Sequence, residues 1–139
     1  MGLKDDNLLA TALLHDVVED CSVTAEDLGM NDEIREAVQL VTFEKRAGES
    51  KHDAKVRYYE AIKGNKLASI VKILDRCNNV SHMASGFTKE KIADYIDETE
   101  EFVIPLITNV KHEYPEYYNA AFLLKYQMLS VMEALKRTI

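Results

Sequence analysis

The chain has 139 residues, of which 47% are hydrophobic and 29% charged, the composition of a soluble globular protein with one domain and a core of ordinary size. Acidic residues outnumber basic ones 24 to 17, and the resulting formal charge of −7 excludes a broad nucleic-acid-binding face. No apolar run approaches the ~20 residues of a membrane span, no secretion signal opens the chain, and two cysteines, Cys21 and Cys77, are too few for a disulfide framework, so a cytoplasmic protein is expected.

In chain order, Asp5, Asp6 or Asn7 caps a first helix through Leu8, Leu9, Ala12, Leu13 and Asp16 towards Cys21. Thr24 with Asp27 resembles a capping pair and predicts a short helix ended by Gly29. Asn31 or Asp32 starts a helix whose apolar positions Ile34, Ala37, Val38 and Val41 keep helical spacing. Thr42 to Ser50, with Lys45, Arg46 and Gly48, reads as a loop. Ser50 caps a helix through Ala54, Tyr58 and Ile62 that stops at Gly64. Asn65 opens a longer one through Leu67, Ile70, Val71, Leu74, Asn78 and Met83, stopped by Gly86. Thr88 caps another, containing Ile92, Ile96 and Phe102, which Pro105 should kink or interrupt. A last helix follows Pro115 and carries Ala121, Leu124, Met128, Met132 and Leu135. With no repeat and no strand pattern, the expected fold is all-α, one domain over residues 1–139.

Two segments carry polar groups where apolar neighbours argue against a solvated face. Leu13-Leu14-His15-Asp16-Val17-Val18-Glu19-Asp20 puts His15 below Glu19 and Asp16 below Asp20 on successive helical turns. Burying such carboxylates beside an imidazole is unfavourable unless a cation or hydrogen bonds compensate them. Lys72-Ile73-Leu74-Asp75-Arg76-Cys77-Asn78-Asn79 supplies a further carboxylate, and Asp75, Asn79 and His82 share one helix face. If the two faces meet, His15, Asp16 and Asp75 form a mixed nitrogen and oxygen site suited to Mn²⁺, Fe²⁺ or Mg²⁺ more than to a structural zinc. Glu19 and Asp20, one turn on, could then orient or deprotonate a water acidified by the ion.

The pattern resembles the HD superfamily of metal-dependent phosphohydrolases, and more narrowly the (p)ppGpp hydrolase domains of the RelA/SpoT type. The resemblance rests on "ALLHDVVEDC" beside that family's ALLHD-x-x-ED-T, on "VKILDRCNN" beside its K-L-x-D-R-x-x-N, and on "LVTF" where it carries a similar Val-Thr segment. It covers the chain from about Leu8 to Pro105 and implies an HD-domain helical bundle. Carried over by position, it makes His15, Asp16 and Asp75 metal ligands and Glu19 and Asp20 the pair assisting water attack at a 3′-pyrophosphate. Asn79 becomes a nucleotide contact and Arg76 a structural or phosphate-side partner. Lys45 and Arg46 could meet the negative end of the substrate. The implied substrate is a small guanosine nucleotide, ppGpp or pppGpp, and the implied metal is Mn²⁺, with Fe²⁺, Mg²⁺ and Zn²⁺ as alternatives.

One departure bears on activity. The family carries a further histidine upstream of HD-x-x-ED, and none of the fourteen residues before His15 is histidine. The chain is therefore expected to be an N-terminally truncated HD domain, with His82 as a candidate substitute ligand. Two rival readings follow: a truncated or impaired domain that binds nucleotide as a regulatory module, and an HD nucleotidase or phosphodiesterase acting on another phosphate ester. A chain without its first helices would also uncover apolar surface at Leu9 and Leu13, which favours a homo-oligomer. Among the remaining polar residues, the run Asp94, Asp97, Glu98, Glu100 and Glu101 reads as a solvated helix face, and His52 and His112 as surface residues.

Overall fold

The computed structural model describes residues 32–138, which are helical apart from short connections and contain no strand. The chain divides into two compact units at Val71 and Lys72, inside one long helix. The first two expected helices, up to Gly29, lie outside the described residues.

In the first unit, α1 (Asp32–Val41) starts with Asp32 and Glu33, whose charges complement the helix N-terminus. It buries Ile34, Ala37, Val38 and Val41, the four positions its sequence spacing marks. Its last carbonyls are satisfied by side chains: Thr42 Oγ1 donates to Val38 O at 2.8 Å and the Tyr58 hydroxyl to Val41 O at 2.5 Å. The loop that follows turns at Gly48, whose φ of +78° lies in the left-handed region that favours glycine. Helix α2 (Lys51–Lys63) is capped by Ser50, whose hydroxyl accepts from Asp53 N at 3.0 Å. It packs on α1 and buries Ala54, Tyr58, Tyr59 and Ile62. The Phe43 and Tyr58 rings meet edge to face at 5.2 Å, as do Tyr58 and Tyr59 at 5.1 Å.

Helix α2 does stop at Gly64, but not by a left-handed glycine, since Gly64 has φ −77°. The corner is made by its neighbours. Asn65 Oδ1 accepts from Ala68 N at 2.9 Å and caps α3 (Lys66–Gly86), while Ser69 Oγ donates to Ile62 O at 2.8 Å. Both groups close one helix and open the next, so the direction change is specified by two short polar side chains.

In the second unit, α3 buries Ile73, Cys77, Val80 and Met83. Thr88 caps α4 (Lys89–Glu98), its Oγ1 accepting from Lys91 N at 3.2 Å. The interruption expected at Pro105 takes the form of a π-helical turn at Thr99–Val103, in which Ile104 N bonds back to Thr99 O. Proline has no N–H to donate and crowds the preceding turn. Widening that turn to the i→i−5 pattern lets the chain continue directly into α5 (Ile104–Glu113). A 3₁₀ turn at Pro115–Tyr117 leads into α6 (Tyr118–Lys136), which packs on α5 and buries Ala120, Ala121, Leu124, Met128 and Met132. Its outer face keeps Tyr118, Phe122, Leu123 and Tyr126 exposed. No helix among the described residues is long and apolar enough to cross a membrane.

Candidate functional site

The segment 72–79 lies on α3, where helical geometry sorts its residues. Ile73, Cys77 and Val80 turn into the core, and burial pushes the Cys77 thiol pKa up, as expected of a small buried hydrophobe. Asp75 and Asn79, four apart, stand half-buried beside them. The Asn79 amide Nδ2 approaches Asp75 Oδ2 at 3.5 Å, the outer limit of a hydrogen bond. His82, one turn further, is exposed and its Nδ1 lies 2.7 Å from Asn78 O.

Arg76 points from the same turn into the protein and is 2% exposed. A buried guanidinium requires a counter-charge, and Glu98 supplies it from the end of α4 in an ion pair. Arg76 Nη1 also reaches Thr99 Oγ1 at 3.5 Å, and that hydroxyl in turn donates to Tyr95 O at 2.7 Å. The guanidinium lies over the Tyr95 ring, 3.9 Å from its centroid. Phe87 meets the same ring edge to face at 5.4 Å, with Lys91 over Phe87 at 4.1 Å. Burial raises the Tyr95 pKa, while the nearby Arg76 charge opposes that rise.

These contacts correct one reading of the sequence. Asp94, Asp97, Glu100 and Glu101 are exposed, but Glu98 is drawn inward by Arg76. A charge run cannot reveal which of its members faces a buried cation. Arg76 is engaged by Glu98 in a buried ion pair. Tyr95 and Thr99 went unmarked, and the signal that could have found them is the unusual arginine beside the core positions of α3.

Lys45 and Arg46 are exposed in the loop of the first unit. That loop is held by a pair also missed in the sequence. Arg57 donates from Nε to Glu49 Oε2 at 3.0 Å and from Nη2 to Oε1 at 2.9 Å, a bidentate contact. It also donates to Glu44 O at 2.8 Å, and Arg46 N donates to Glu49 Oε1 at 3.0 Å. The Arg57 side chain, helped by the Arg46 N–H, lowers the Glu49 pKa to about 2. Lys45 and Arg46 thus project from a braced turn.

His15, Asp16, Glu19 and Asp20 lie outside the described residues. Among the described residues no group of three or more His, Cys, Asp and Glu side chains could hold a metal ion. Asp75 and Asn79 offer oxygen donors of the hard kind that Mn²⁺ or Mg²⁺ accepts. They fit a share of such a site and require ligands from elsewhere in the chain.

The chain matches no protein-family model. Over 108 residues it is 26% identical to the guanosine-3′,5′-bis(diphosphate) 3′-pyrophosphohydrolase MESH1 of Xenopus tropicalis, an alignment covering 73% of this chain and 60% of that protein. The match therefore takes in about three-fifths of the length of this curated relative. The similarity is that of a distant relative of a hydrolase.

Proposed function

We propose that this chain is a divalent-metal-dependent phosphohydrolase of the HD type that releases pyrophosphate from the 3′ position of a guanosine polyphosphate. The reading is carried by Asp75 and Asn79, set side by side at a half-buried edge of α3, with Arg76 between them turned inward to a structural ion pair. The distant match to a 3′-pyrophosphohydrolase and the two motifs His15-Asp16-x-x-Glu19-Asp20 and Asp75-Arg76-x-x-Asn79 support it.

In this reading His15, Asp16 and Asp75 would hold the cation, for which Mn²⁺ is proposed. A bound divalent ion lowers the pKa of water and offsets charge on phosphate oxygens. Glu19 and Asp20 orient the attacking water and take its proton. The water oxygen bonds to the phosphorus carried on the 3′ oxygen, and that phosphorus–oxygen bond breaks. The 3′ hydroxyl leaves on the guanosine diphosphate and the pyrophosphate keeps the water oxygen. Asn79 contacts the nucleotide, and Lys45 and Arg46 attract its diphosphate ends. Arg76 acts from behind, through its neighbours.

The test is hydrolysis of ppGpp by the purified chain with Mn²⁺, products separated by anion exchange. The expected products are GDP and pyrophosphate. Asp75→Ala should lose both bound Mn²⁺ and turnover, while Glu19→Gln keeps the metal and loses the rate. Orthophosphate from nucleoside monophosphates in place of pyrophosphate, or full turnover by Asp75→Ala, would overturn the proposal.

A further inference from the structure

Helix α6 is apolar on both sides. Ala121, Leu124, Met128 and Met132 are buried in the core, while Tyr118, Phe122, Tyr126 and Leu129 line the outer face at intervals of four, four and three residues. Lys125 is the only charged residue from Tyr118 to Met132. A helix at the surface of a single core has a polar outer face, and one that is hydrophobic all round is covered on both sides. The three aromatic rings are half or more exposed, Tyr126 by 69%. A fully buried aromatic side chain takes 150–250 Å² out of water, so the rings and Leu129 leave roughly 300–500 Å² of apolar surface in one stripe. Singly scattered apolar residues are ordinary, but a contiguous patch of that size is commonly an interaction surface.

The charges at the two ends of the stripe select its occupant. At the start, Lys111 of α5 holds its Nζ 5.9 Å from the centre of the Tyr118 ring and 6.0 Å from that of Phe122. At the far end, one turn past Leu129, stands Glu133, with 63% of its side chain exposed. Lys136, which meets Glu133 at 3.4 Å, is itself paired with Glu100, so this end stays acidic. A stripe that is basic at one end and acidic at the other is complementary to itself turned end for end, as a two-fold interface requires. An antiparallel register with Phe122 opposite Leu129 of a second copy also sets Tyr126 opposite Lys125, and Tyr118 with its Lys111 opposite Glu133. All three pairs share one midpoint, between Lys125 and Tyr126. One pair is apolar, one sets a cation against a ring, and one joins opposite charges. A parallel register would instead set Lys111 beside Lys111 and Glu133 beside Glu133.

We propose that the outer face of α6 is a homodimer interface, on which a second copy of this chain lays its own α6 antiparallel about a two-fold axis near Lys125 and Tyr126. The two stripes together bury roughly 600–1,000 Å², below the 1,200–2,000 Å² of a stable interface, so the dimer is of the weak, concentration-dependent class. It involves none of the residues of the phosphohydrolase reading and stands independently of it.

Sedimentation equilibrium of the purified chain, from low micromolar to near-millimolar concentration, tests the interface. The mass should rise from one copy towards two across that range. Phe122→Asp, at a half-exposed position outside the core, should keep the thermal midpoint and remain a single copy throughout. Lys111→Glu and Glu133→Lys should each weaken the dimer about tenfold, because two symmetry-related attractions become repulsions. Lys111→Glu and Glu133→Lys combined restore both pairs with the signs exchanged, and should return the affinity to within about twofold of the unaltered chain. A chain that stays a single copy at the highest concentration overturns the proposal. So does a dimer that Phe122→Asp leaves intact, or one that the combined exchange weakens as much as either single change does.

Discussion

Each compact unit contains an arginine paired with a glutamate, and the two pairs differ most in the burial of the arginine. Glu49 and Glu98 keep similar side-chain exposure, 17% and 20%, whereas their partners do not: Arg57 keeps 33% and Arg76 only 3%. Both are charge-assisted contacts, and the difference that matters lies in what happens when the pair is broken. Arg57 can take up water where Glu49 was. Arg76 cannot, and its charge would stay buried without Glu98. Pairing at Glu49 therefore serves local order, holding the loop between α1 and α2. Pairing at Glu98 is a condition for the second unit's core to close around Arg76.

The largest expected effect comes from breaking the buried pair. Glu98→Leu should destabilise the protein by about 3–5 kcal/mol, because breaking a buried ion pair by removing one partner leaves the desolvation penalty of the other in place. For a chain of this size that is a fall of roughly 10–20 °C in thermal midpoint. Arg76→Met added to Glu98→Leu should recover most of the loss, since a well-packed apolar pair often matches a buried ion pair. Denaturant titration of the single and double variants checks this. If Glu98→Leu costs less than about 1 kcal/mol, as exposed pairs do, the contrast between the two pairs would disappear.

A smaller effect tests whether the units differ elsewhere. Ser50 and Thr88 are N-caps of the same geometry, one in each unit, each accepting from a backbone N–H three residues on. Ser50→Ala and Thr88→Ala should each cost about 1 kcal/mol, measured as a shift of the urea midpoint at constant slope. Equal losses would confine the asymmetry between the units to their arginines. A much larger loss at Thr88 would extend it to the start of α4.

Both caps were legible in the sequence, as were the described helices other than α5, for a common reason. Capping and helical periodicity are local, and Ser50, Asn65 and Thr88 act on residues three positions away. The four buried positions of α1 follow from spacing alone. The joint at Gly64 was located correctly, but its cause lies in Asn65 and Ser69. The candidate site was legible where its parts sit on one helix, as Asp75 and Asn79 do. It was not legible where they meet across helices. Glu98 lies 22 residues from Arg76 and Tyr95 lies 19 from it, and no periodicity relates such positions. The structure selects Glu98 from five acidic candidates because it stands at the end of α4, where a buried cation needs it.

The smallest effect, and the most specific, is a pH dependence at Glu49. Its carboxyl is held at about 2 rather than 4.5, first by the Arg57 guanidinium and then by the Arg46 N–H. A folded pKa below the unfolded one means that the charged form is bound more tightly in the folded loop. The contribution is thus fully present above pH 4.5, where the unfolded group is also charged, and is lost as pH falls towards 2. Amide hydrogen exchange across residues 44–49 should accelerate in that window and stay constant above it, while α4 and α6 remain protected. Glu49→Gln removes the titrating group, so its loop should exchange faster at neutral pH and show no acid step. Raised salt should weaken the protection only modestly, because a bidentate contact at hydrogen-bond distance is less screened than separated surface charges. An acid step that survives in Glu49→Gln would belong to another carboxylate and would remove Glu49 from the comparison with Glu98.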